Sequence, residues 1–210
     1  MLRILLALLL TSFLSACSGT GSTTPNSPQV INGTALQAAN TVVQAINGLQ
    51  NGTGGLQPFT DLFDPAGVRF MPYYRTEASD QILTATAFES DFILQNPPTR
   101  NWGTQDGSGD PIVLHIRDYF GRYVWDHPYH SNATVTLINT NSDFQSQGNL
   151  INNLLASYPV AQYRIVEYHQ LGTNPAYNGM DWTSLMVILK DAGGGNQWTL
   201  VGLAHGSWTI

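Results

Sequence analysis

The chain has 210 residues, enough for one domain of ordinary size plus terminal segments. Hydrophobic residues make up 42% and charged residues only 10%, with a formal net charge of −6 and Lys190 as the one lysine. A sizeable core can therefore form under a neutral, polar surface, while nucleic acid and anionic membrane surfaces are poor candidates as partners because no basic cluster exists to meet them.

Residues 1–17 carry a targeting signal. Arg3 gives a short positive start, Ile4–Leu10 is an apolar run, and Thr11-Ser12-Phe13 follows; the run is too short to span a bilayer as a helix. It ends in Leu14-Ser15-Ala16-Cys17, which resembles the bacterial lipobox, where small residues precede a cysteine that is lipidated. The resemblance implies a lipoprotein anchored through acyl chains on Cys17, in the cell envelope and facing outside the cytoplasm. Ser18, in place of Asp, implies the outer membrane in a Gram-negative host. The alternative is an ordinary signal peptide with an incidental cysteine. As Cys17 is the only cysteine, no disulfide can form. Residues 18–33, rich in Ser, Gly, Thr and Pro, read as a flexible tether, and 34–210 as a single domain.

Apolar residues at Leu36, Ala39, Val43 and Ile46 predict a helix over Ala35–Leu49 with Thr34 as its N-cap. A short helix is expected over Leu56–Phe63, then a strand over Gly67–Tyr73 that Pro72 places at a sheet edge. Ile82–Phe92 fits strand or helix. Residues 96–111 read as loop, and Leu114–Trp125 as a helix. Strands are expected at Ala133–Asn139 and Tyr163–His169, with a short helix at Leu150–Ala156 between them. In the second strand Tyr163, Ile165, Glu167 and His169 share one face. Leu185–Leu189 and Trp198–Ala204 flank Asp191–Gln197 as a hairpin. Both runs are apolar at odd and even positions alike, so both are covered on two faces and central to a sheet. The apolar end, Trp208-Thr209-Ile210, reads as packed down.

The fold class is α+β, a curved antiparallel sheet with helices packed on one face. The layout resembles the nuclear-transport-factor-2-like (cystatin-like, SnoaL-like) superfamily. Leu62-Phe63-Asp64-Pro65 before Gly67-Val68-Arg69-Phe70, Gly109-Asp110-Pro111-Ile112 before Ile116–Val124, and Trp198–Ala204 carry that resemblance. It implies a cone whose mouth holds a pocket, in members that either bind or act as dehydratases and isomerases. Uncharacterised bacterial lipoproteins with the same Gly67–Phe70, Asp106–Gly109 and Trp208–Ile210 stretches are similar too.

Glu167 and His169, two apart on one strand face, are the acid–base candidates, with Asp181 near the same end; a polar strand face is the plainer reading. His205 shares parity with Val201 and Leu203 and reads as a pocket base or as a structural histidine. His127 and His130 lack a third ligand, so no metal is expected. Asp106–Asp110 begins like a calcium loop, but Pro111 and Arg117 stand where that motif needs Gly and Glu, which leaves a turn. Trp102, Tyr119 and Trp182 are candidates to line a site for a small apolar or aromatic ligand. With no convincing catalytic constellation and no cofactor motif, the leading expectation is a tethered, non-catalytic binding or interaction module. The rival is a lyase or isomerase using Glu167, His169 or His205, and a homodimer formed through the sheet is a third.

Overall fold

The computed structural model describes residues 29–145 and 151–208. The expected signal peptide, Cys17 and most of the tether lie outside the described residues. The elements in chain order are β1 (Ile31–Asn32), α1 (Ala35–Gln50), α2 (Gln57–Thr60), β2 (Val68–Met71), β3 (Gln81–Leu83), α3 (Ala85–Ile93), β4 (Thr99–Thr104), β5 (Pro111–His115), α4 (Ile116–Tyr123), β6 (Thr134–Ile138), α5 (Ile151–Ser157), β7 (Tyr163–Gln170), β8 (Thr183–Asp191) and β9 (Gln197–Ser207). Together they make an α+β fold around a curved, mostly antiparallel and unclosed sheet; the helices were expected on one face, but α1–α4 pack on one side and α5 on the other.

The sheet runs β3-β2-β9-β8-β7-β6, with β1 added to β9. All pairs are antiparallel except β2 with β9. β8 sits between β7 and β9, and Thr183–Leu189 is buried throughout, as its unbroken apolar run requires. β2 is internal, and the sheet edge falls to β3, so Pro72 follows a covered strand and not an edge. Residues 29–33, expected in the tether, belong to the fold. Gln29 N donates to Asp61 O at 2.8 Å, Ile31 pairs with Trp198, and Gly33 N donates to Asn196 O at 3.0 Å. The loop expected over 96–111 instead contains β4 and the first residue of β5, which pair as a separate two-stranded sheet. Ile82–Phe92 resolves into both options: β3, then Thr84 as N-cap of α3.

Thr34 caps α1 in a capping box with Gln37, and the helix buries Ala35, Ala38, Ala39, Val42, Val43 and Ile46. Three alanines on that stripe let the helix lie close to the sheet. Leu36, expected in the stripe, is exposed. The rest of this core layer is aromatic. Phe59, Phe63, Phe70, Phe88, Phe92 and Phe120 meet at 5.0–6.4 Å, mostly edge to face. The opposite sheet face is also covered. Met71, Ile138, Ile165, Met186, Ile188 and Ala204 pack there with Phe144, Leu154 of α5 and Tyr158.

β9 carries a bulge. Leu189 pairs with Leu200 and Ile188 with Gly202, so Val201 is the extra residue. The bulge breaks the simple alternation: Leu203 and Leu200 join the helix-side core, whereas Val201 packs with the second cluster. His205 therefore keeps parity with Leu203 but not with Val201.

Candidate functional site

The three acid–base candidates do not form one site. Glu167, His169 and Ser184 lie on the α5 side of the sheet, while His205 and Thr183 lie on the helix-rich side. Alternation along β7 and β8 enforces this, because Ser184 and Thr183 are neighbours and must face opposite ways.

On the α5 side, Glu167 is fully buried and His169 nearly so. Ser184 Oγ donates to Glu167 Oε1 at 2.9 Å, Gln145 N donates to Oε2 at 2.7 Å, and His169 Nδ1 lies 2.8 Å from Ser184 Oγ. A serine has one proton. With that proton on Glu167, Nδ1 of His169 carries hydrogen and donates to Ser184. Acyl transfer uses the reverse arrangement, a serine proton directed at histidine. Both Glu167 oxygens already accept. Burial pushes the His169 imidazole below its ordinary value, against the pull of the Glu167 carboxylate, which keeps it neutral at pH 7. Trp182 packs beside it, ring centroids 5.5 Å apart.

On the helix-rich side a second network closes around Asp126, just past α4. Its Oδ1 accepts from Tyr129 OH at 2.6 Å, and its Oδ2 accepts from Thr183 Oγ1 at 2.8 Å and lies 3.1 Å from His205 Nε2. His127 Nδ1 approaches the same oxygen at 3.2 Å. Burial works against the Asp126 charge, but the hydrogen bond and charge of His205, with help from Tyr129 and Thr183, outweigh it and hold the carboxyl well below the usual range. Nδ1 of His205 is buried with no partner among the described residues, and its ring meets Tyr123 edge to face at 5.7 Å. The Tyr119 hydroxyl is also buried with no partner among the described residues. Trp102 and Tyr119 do come together, stacked at 3.9 Å, but Trp102 is fully buried and spends its N–H on Leu114 O at 3.0 Å. Trp182 is on the other face, so the three ligand-lining candidates do not line one site.

Open space lies at the end of the sheet where β7 turns into β8. A groove of about 240 Å³ is lined, among the described residues, by Tyr177, Met180, Asp181 and Trp208. Tyr177 and Trp208 are each about half exposed, at 51% and 50%, and Leu171 at 72% stands in the same loop. Trp208, expected to pack down, instead forms one wall of this groove. Asp181 organises the loop beneath it: Oδ2 accepts from Thr173 N at 2.9 Å and Asn174 N at 2.8 Å. Those two N–H groups, with His127 nearby, hold the Asp181 carboxyl below its ordinary value. Gly172 allows the approach, because a Cβ there would sit 2.3 Å from Asp181 Oδ1 and 2.7 Å from Gly179 O.

Sequence reading missed Asp126, Tyr129 and Thr183 as a network, and missed the groove. The Tyr177 loop carried a signal of its own, an aromatic and a methionine in an Asn/Gly-rich connection. His130 stacks on Trp125 at 5.9 Å while His127 turns to Asp126, so the two histidines diverge. Among the described residues no group of three or more His, Cys, Asp or Glu is placed to hold a metal ion, and no helix is long and apolar enough to cross a membrane. No family model, no curated protein and no solved structure matches this chain.

Proposed function

We propose that this chain is a tethered envelope module that binds through the groove between Tyr177 and Trp208 and performs no chemistry of its own. One observation carries the reading: large apolar side chains stand exposed around an open groove whose floor is fixed by Asp181. Exposed aromatic walls on a braced floor are the ordinary anatomy of a recognition site. The Leu14–Cys17 lipobox resemblance supports the tether, and the order of helices and strands supports the nuclear-transport-factor-2-like resemblance. The tether joins the fold at β1, beside Trp198, whereas Trp208 lies at the other end of β9. At ~3.3 Å per residue these ends are roughly 30 Å apart, so an anchored molecule can hold its groove away from the bilayer.

Affinity selection of small molecules from envelope extracts on the purified chain tests the binding reading. A compound enriched on the wild type and lost on a Tyr177→Ala/Trp208→Ala variant is expected; no enrichment, or equal enrichment on both, refutes it. Cys17→Ser is expected to leave the membrane fraction, and retention there counts against lipidation.

A second reading rests on the Asp126–His205 contact. An imidazole oriented by a carboxylate, with its other nitrogen unpartnered, is the arrangement of a general base in a lyase or isomerase. It requires the packed interior around Tyr119 and Tyr123 to open, and turnover abolished by His205→Gln would favour it.

A further inference from the structure

We propose that the groove binds a small, soluble organic cation of the quaternary-ammonium class. This rests on the binding reading above and names its ligand chemistry. Two features argue for it together. Tyr177, Met180 and Trp208 line the groove, so two aromatic rings and a thioether, side chains that can meet a cation with polarisable, electron-rich groups, stand around it. The ionic group among the lining residues is a carboxylate, Asp181. The segments that build the groove, 171–184 and 204–208, contain no lysine or arginine. Asp126 adds a second carboxylate behind Thr183, and His127 is the basic side chain that bears on Asp181.

The carboxylate oxygens of Asp181 are engaged by the loop or covered by Gly172, so they supply field and not a direct hydrogen bond. That favours a ligand whose charge is spread over methyl groups and needs no acceptor. A primary ammonium, with three protons to satisfy, is disfavoured on the same ground. A phosphate or carboxylate ligand would meet the Asp181 carboxylate with no lysine or arginine among the lining residues to offset it.

The test is a calorimetric titration of the full chain, held in a maltoside detergent, with choline chloride and with its uncharged isostere 3,3-dimethylbutan-1-ol. The two have the same shape and differ in charge. Two rings and a carboxylate predict that choline binds about tenfold more tightly or better. Trp208→Ala is expected to remove most choline binding without lowering the melting temperature, since that side chain is half exposed, and Trp208→Phe to retain it. Equal affinity for the two probes would overturn the cation assignment while leaving an apolar binding groove. Absence of saturable choline binding, or binding indifferent to Trp208→Ala, would overturn it outright. Trp208-dependent flotation of the Cys17→Ser chain with phosphatidylcholine vesicles would assign the groove to a lipid headgroup and overturn the soluble ligand.

Discussion

Asp126 and Asp80 are two sheltered carboxyls pushed in opposite directions. Asp126 is depressed because its charged form collects donors from Tyr129, Thr183 and His205. A depressed acid stabilises the fold above its unfolded value of ~3.9 and loses that contribution as pH falls toward the folded value. Asp126→Asn should cost about 3 kcal/mol at pH 7, and the gap to wild type should narrow below about pH 4. Asp80 is raised to about 6, chiefly by burial, which outweighs its bonds to Glu77 N and Arg69. A raised acid contributes its stability below the unfolded value and loses it as pH rises through the folded one. Wild type should therefore lose up to about 3 kcal/mol between roughly pH 4 and 7 from this group alone, and Asp80→Asn should flatten that slope. Urea midpoints across pH 3–8 read both effects. Gly172→Ala is a third residue-scale test. Its Cβ would strike Asp181, and the Thr173 and Asn174 amides, now bonded to that carboxylate, should exchange faster with deuterium.

At the scale of elements, α5 is the piece most worth perturbing. It covers the sheet face that sequence reading left open as a pocket or a subunit contact, and Leu154 is its fully buried anchor. Leu154→Ala should cost about 2–4 kcal/mol; a loss below about 0.5 kcal/mol would mean that α5 does not seal this face. The elements legible in sequence were those with a clean period. α1 announced itself by its stripe and Thr34, and β8 by apolar residues at every position. β4 and β5 were not legible because their pairing brings Thr99–Thr104 against Pro111–His115 across a Gly/Asp turn, half of β4 is exposed and polar, and β5 starts with a proline. The parity of Glu167 and His169 was readable; what they face was not, because Ser184 and Gln145 reach them only through tertiary pairing. His205 reads from sequence as a pocket base or a structural histidine, and the β7–β8–β9 pairing that puts it on the face opposite Glu167 and His169 is likewise non-local.

At the scale of the molecule, both faces of the sheet are occupied by the chain's own side chains, and the groove proposed to bind lies at one end of the sheet. The groove formed by the β7–β8 loop and Trp208 is open, negative and aromatic, and the Asp126 network stiffens the strand ends beneath it. Hydrogen exchange of the chain with and without a small-molecule extract of the envelope tests this most directly. Binding at the groove predicts protection confined to residues 171–182 and 205–208. Protection centred instead on Tyr119, Tyr123 and the β4–β5 hairpin, or none anywhere, would contradict it.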